Sequence, residues 1–133
     1  MRRILIALSA VSLLACGDSS GSAFSSAVGT WSLVTINNSP LPFTAVNQGL
    51  YKLEILSDVL VASGDGTFTG TTTIRETDNG AVTTTAQPNS GTWTQMNNTV
   101  TIHLSDGTTN TVTISADTIT LSEIGFVSVY HRQ

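Results

Sequence analysis

From Val28 onward the chain alternates apolar and polar residues with a period of two, in short runs closed by turn formers. Trp31, Leu33 and Thr35 share one face of a first strand over 28–37. Tyr51, Leu53 and Ile55 share a face of a second over 50–62, with Lys52 and Glu54 on the other. That alternation slips near Ser57-Asp58, which predicts a bulge. Ser63-Gly64-Asp65-Gly66, Asp78-Asn79-Gly80, Asn97-Asn98 and Asp106-Gly107 read as hairpin turns, and Pro88-Asn89-Ser90-Gly91 reads as another. Between them lie strands over 68–76, 81–87, 92–96, 99–104, 108–115, 118–122 and 126–132. The segment 37–43 reads as a break, because Pro40 and Pro42 cannot donate to a ladder. No helical stripe interrupts the series.

About nine strands joined by short turns make an all-β antiparallel meander. Such a sheet either exposes two edges or closes on itself, and closure removes the edges. The fold expected is a single small barrel of about eight or nine strands over 28–133. Abundant Thr supports it, since a branched Cβ suits a pleated sheet.

The N-terminus has another character. Arg2 and Arg3 precede an apolar run from Ile4 to Leu14, broken only by Ser9 and Ser12. That length suits a signal segment and is too short to span a bilayer. Leu13-Leu14-Ala15-Cys16 resembles the lipobox of bacterial lipoproteins. The resemblance implies that residues 1–15 are removed and that the sulfur of Cys16 receives a diacylglycerol. It also implies that the new amine is acylated, by a chain such as palmitate. An ordinary cleaved signal is the alternative. It puts bulky Leu13 at the −3 position and leaves a lone thiol near an exported terminus. Gly17 rather than an acid follows the cysteine. By the same resemblance this implies a cell-envelope protein on the outer membrane, facing the periplasm, rather than on the inner one. Residues 16–27, rich in Ser and Gly, read as the lipidated Cys and a flexible tether.

Beyond residue 15 three bases (Lys52, Arg75, Arg132) stand against nine acids, a formal charge of −6. Scattered bases cannot displace counterions from a duplex, and a surface of this sign is repelled by anionic headgroups. Nucleic acid is excluded as a partner, and membrane contact is expected only through the lipid on Cys16.

Gly29-Thr30-Trp31 opens the first strand, Gly91-Thr92-Trp93 a later one, and Gly66-Thr67-Phe68 is a looser third copy. Gly-x-Trp at the start of a β meander resembles the lipocalin superfamily and the lipocalin-like lipoproteins of bacteria. The resemblance implies that Trp31 packs at the closed base of the barrel beneath an Arg of the last strand, for which Arg132 is the match, with Gly29 beside them. The family's Thr-Asp-Tyr turn is absent; Thr77-Asp78-Asn79 comes too early. Other small β barrels or sandwiches remain alternatives.

The alternation places Tyr51, Leu53, Phe68, Val82, Trp93, Val100 and Val112 inside. Strands 68–76 and 81–87 offer small inward groups, Gly70, Thr72, Thr84 and Ala86, which would form the roomiest wall of a lumen or a solvated edge. Phe43 would lid the mouth or plug it. The candidate ligand-lining set is therefore Phe43, Tyr51, Leu53, Phe68, Thr72, Thr84 and Trp93. His103 and His131 lack further ligands for a metal. His103-Leu104-Ser105-Asp106 holds triad letters on neighbouring residues that point to opposite faces. No metal site, cofactor or catalytic residue is expected, so the chain is not read as an enzyme. The function expected is a membrane-anchored binding module for a small, partly apolar molecule. The rival is an envelope interaction or structural lipoprotein with a filled barrel.

Overall fold

The computed structural model describes residues 25–133. The leader 1–15, Cys16 and the tether as far as residue 24 lie outside the described residues. Ten strands follow in order: β1 Gly29–Ile36, β2 Ser39–Pro40, β3 Phe43–Gln48, β4 Tyr51–Ala62, β5 Thr67–Asp78, β6 Ala81–Met96, β7 Thr99–Leu104, β8 Thr109–Ser115, β9 Thr118–Glu123 and β10 Phe126–Arg132.

β1 pairs with β10 along one edge, from Trp31–Arg132 to Ile36–Ser128, and with β4 along the other, from Gly29–Ala62 to Ser32–Val59. The two ends of the meander therefore meet, and β1 with β4 through β10 forms a closed antiparallel barrel of eight strands. This is the all-β barrel that the alternation predicts. β2 folds back on the end of β1, and β3 pairs with the first half of β4. The segment read as a proline break thus contains β2, and β3 begins at its last residue, Phe43. Pro40 sits in the two-residue β2, short enough to need few donors.

The expected slip in β4 is a bulge, with the register shifting between Ile55 and Ser57. An extra residue reverses the phase of the strand. Tyr51, Leu53 and Ile55 point inward before it, and Asp58, Leu60 and Ala62 point inward after it. A carboxylate that straight alternation would leave outside is thereby carried into the barrel.

Pro88-Asn89-Ser90-Gly91 is not a turn. β6 runs unbroken for 16 residues and pairs with β5 from Thr67–Thr92 to Asp78–Ala81, with Thr71 opposite Pro88. Ser90 O accepts from Ser105 N, so this residue's polar groups face away from β5. Two residues earlier, the missing N–H of Pro88 faces the same way, where β6 has no neighbour and nothing is lost. The unbroken strand also corrects its phase. Trp93 points inward, so Thr83, Thr85, Gln87 and Asn89 share its face. Val82, Thr84 and Ala86, expected inside, lie outside opposite Thr77, Arg75 and Thr73.

The core is Trp31, Leu33, Ile36, Val100, Val112, Ile114, Ile119 and Tyr130, joined by Ala27. Ala27 was expected in the free tether. It is instead 2% exposed, and its N–H donates to Gln95 Oε1 at 2.9 Å while Ser25 O accepts from Gln95 Nε2. Ser25 and Ala27 are therefore docked under the barrel.

Candidate functional site

The barrel interior has a closed base, a polar middle and an open rim. At the base, Trp31 is 1% exposed and its Nε1 donates to Ala27 O at 2.8 Å. Arg132 covers it, with Cζ 4.2 Å from the ring centroid. The guanidinium is held by Val28 O and Ser26 O, each at 2.6 Å, and by Asp117 Oδ1 at 3.0 Å. Gly29 has φ +143°, and a Cβ there would stand 2.6 Å from Arg132 Nη1. The glycine of Gly-x-Trp thus leaves room for the arginine that seals the indole.

Above this seal lies an apolar cavity of about 30 Å³, lined by Trp31, Leu60, Phe68, Trp93, Ile102 and Val112 among others. That is room for about one water, with no polar wall to hold it. Phe68 and Trp93 of the candidate set therefore pack the base. Trp93 also ties the β4–β5 turn to β6, donating Nε1 to Thr67 O at 3.0 Å and Ser63 O at 3.2 Å.

The middle layer centres on Asp58, 8% exposed. Tyr130 Oη donates to its Oδ2 at 2.7 Å and Thr72 Oγ1 to its Oδ1 at 3.1 Å. Burial pushes the Asp58 carboxyl up, against the lowering effect of the bonds from Tyr130 and Thr72. Burial and the neighbouring carboxylate push the Tyr130 phenol up as well. Higher on the same wall Tyr51 Oη donates to Glu76 Oε1 at 2.8 Å, a bond that raises the Tyr51 pKa. Leu53 faces Glu76 across the β4–β5 ladder. Asn89 Oδ1, above Gly70, is buried without a partner.

At the rim the β8–β9 ladder ends at Val112–Leu121. Thr109–Thr111 and Ser122–Glu123 part beyond it, and the parting leaves an open groove of about 670 Å³. Leu121, Ile124 and Phe126 line it with Asn110, Ser122 and Glu123. Phe43 meets Phe126 edge-on, ring centroids 6.1 Å apart at 85°, and so joins β3 to this rim.

The structure thus brings Tyr51, Leu53 and Thr72 to the inner wall, Phe43 to the groove, and Phe68 and Trp93 to the base. Thr84 stands apart, exposed on the outer face of β6. Asp58, Tyr130, Leu121 and Phe126 escaped the sequence reading. Tyr130 was legible: it lies two residues before Arg132 and so shares its inward face. On the outer wall Glu54 pairs with Lys52 Nζ at 2.7 Å and Arg75 Nε at 2.8 Å. These bonds, that from Arg75 first, hold its carboxyl at about 2. His103 is exposed, its Nδ1 3.0 Å from Thr109 Oγ1. Among the described residues no three His, Cys, Asp or Glu side chains gather as a metal site would require.

The family model for a lipocalin-like domain matches residues 28–122. The match stops before β10, so the seal of Arg132 on Trp31 is an observation of the structure alone. No curated protein matches the chain.

Proposed function

Because the chain belongs to the lipocalin-like domain family, we propose that it binds a small, partly apolar molecule at the open rim of its barrel, held at the cell envelope by a lipid on Cys16. The observation that carries this reading is the groove between β8 and β9. Its volume of about 670 Å³ falls within the ordinary range for small-molecule sites, and its lining sets Leu121, Ile124 and Phe126 beside five polar residues. The barrel interior above the base, about 30 Å³, offers no comparable room. The ligand therefore lies across Leu121 and Phe126, with Phe43 beside them, rather than deep against Trp31.

The anchor sits at the opposite end. Residues 17–24 separate Cys16 from Ser25 in the sequence. Ser25 docks under the base, and the orientation proposed has the base toward the membrane and the groove away from it. The outer membrane, with the groove facing the periplasm, is the placement proposed. Nothing in the site gathers an acid, base and nucleophile, so the role proposed is binding rather than catalysis.

The filled base favours a second reading, a lipoprotein whose barrel serves as a structural or protein-interaction module. Native mass spectrometry of the purified chain separates the two. Binding predicts a co-purifying molecule that is lost in Leu121→Glu. A bare mass for both proteins, with no small molecule retained, supports the filled barrel. For the anchor, Cys16→Ser releases the protein from membranes; unchanged fractionation would contradict the lipid.

A further inference from the structure

β6 has 16 residues and its neighbour β7 only six. β7 covers only Gly91–Met96, so the outer edge of β6 from Ala81 to Asn89 has no ladder, and Ala81 through Pro88 are exposed. The alternation set by Ser90 O, which faces β7, puts the N–H and C=O groups of Val82, Thr84 and Ala86 on that free edge.

Free edges are normally blunted by charge, bulges or brevity. β2 has two residues and β3 carries a bulge between Thr44 and Val46. The β6 edge has none of these over Ala81–Thr85: it is uncharged, its pairing with β5 has no bulge, and it ends in the tight turn at Asn79-Gly80, φ +48° and +84°. Pro88 is its one interruption and limits usable pairing to the stretch before it.

We infer that this edge joins a second copy of the chain, β6 against β6 antiparallel about a two-fold axis at Thr84. In that register Thr84 lies opposite the partner's Thr84, and Val82 and Ala86 lie opposite the partner's Ala86 and the partner's Val82. Six backbone hydrogen bonds form, and Pro88 lies beyond the last of them. Sequence and geometry both select a copy over an unrelated strand. The stretch is close to symmetric about Thr84, and its exposed Val82 falls against a small alanine rather than another bulky group. No charge lies on it to meet its own kind across the axis. The nearest charge, Arg75 opposite Thr84 on β5, is paired with Glu54 and lies about 14 Å from its counterpart, three strand spacings away. Two barrels joined this way use up one edge each, so the assembly closes as a dimer. The groove between β8 and β9 stays open.

The test is light scattering of the full-length chain in detergent micelles, with residue-resolved hydrogen exchange. At about 100 µM the chain is dimeric, with the Val82, Thr84 and Ala86 amides protected, and dilution exposes them. Thr84→Pro removes an N–H that faces away from β5, so it spares the β5–β6 ladder and raises the dimer Kd at least tenfold. Thr84→Lys places like charges face to face and does the same, which decides the matter if the proline variant fails to fold. Thr69→Lys adds the same charge on the outer face of β5, away from the edge, and leaves the dimer intact. A monomer at that concentration, or a dimer that survives both Thr84 variants, overturns the proposal.

Discussion

Tyr130 donates its phenolic proton to the buried carboxyl of Asp58 across the barrel interior, Oη to Oδ2 at 2.7 Å. The two residues lie 72 positions apart, and the contact exists because the bulge after Ile55 turns Asp58 inward. Tyr130→Phe leaves Asp58 with Thr72 as its remaining side-chain donor. Loss of a bond to a buried charged group costs about 1–3 kcal/mol in urea denaturation.

The same pair predicts a pH dependence. The folded protein holds the Asp58 proton more tightly than the unfolded chain, whose value is near 3.8. This group's contribution is therefore most favourable below the unfolded value and declines as pH rises through the folded one. Asp58→Asn removes that decline. The urea midpoints of wild type and variant, followed upward from pH 3.8, should diverge in the variant's favour; parallel curves would place Asp58 in water.

Trp31 and Arg132 seal the base, and their removal should be felt as lost stability rather than altered binding at the distant rim. Trp31→Ala costs about 3–5 kcal/mol for a buried indole. Arg132→Met keeps the aliphatic stem but loses the cation–π contact and the bonds to Val28 O and Ser26 O, a cost of about 2 kcal/mol. Denaturant titration measures both, and a loss below about 1 kcal/mol for Trp31→Ala would mean an exposed ring.

Gly91 of β6 lies opposite Leu104 of β7. A Cβ there would press into His103 O and the Phe68 ring, both fixed by the core. Gly91→Ala should cost about 2 kcal/mol or more and loosen the pairing of Gly91 with Leu104. Amide exchange along 99–104 reads this out directly.

Ala116 carries φ +51° in the β8–β9 turn, a conformation that a Cβ disfavours by about 1–2 kcal/mol. Ala116→Gly relieves it at some cost in unfolded-chain entropy. The net expectation is a gain of about 0.5–1 kcal/mol, seen as a higher urea midpoint.

Much of this architecture was legible from alternation and turns. Asn79-Gly80 and Asn97 take the left-handed conformations that their types permit. The inward turn of Trp31 and Leu33 followed from period two, but a register shift between Leu33 and Thr35 puts Ile36 rather than Thr35 in the core; the arginine partner followed from the resemblance to lipocalins. Pro88–Gly91 misled because Pro, Asn, Ser and Gly are turn formers, whereas here Pro88 marks a free edge and Gly91 a close approach of β7. That single misreading reversed the phase of 81–87 and put Val82, Thr84 and Ala86 on the wrong face. The inward turn of Asp58 was hidden for another reason: a slip in alternation announces a bulge but not its length. The rim groove arises where two ladders part, and no local pattern in Thr109–Thr111 or Ser122–Glu123 records that.

Chemical-shift mapping on the isotopically labelled chain tests the account most directly. Titration with a panel of small amphiphiles, about 200–500 Da, should move the amides of Asn110, Leu121, Glu123 and Phe126 while leaving those of Trp31 and Phe68 in place. Shifts centred on Trp31 and Phe68, or none with any compound, would contradict a ligand at the rim.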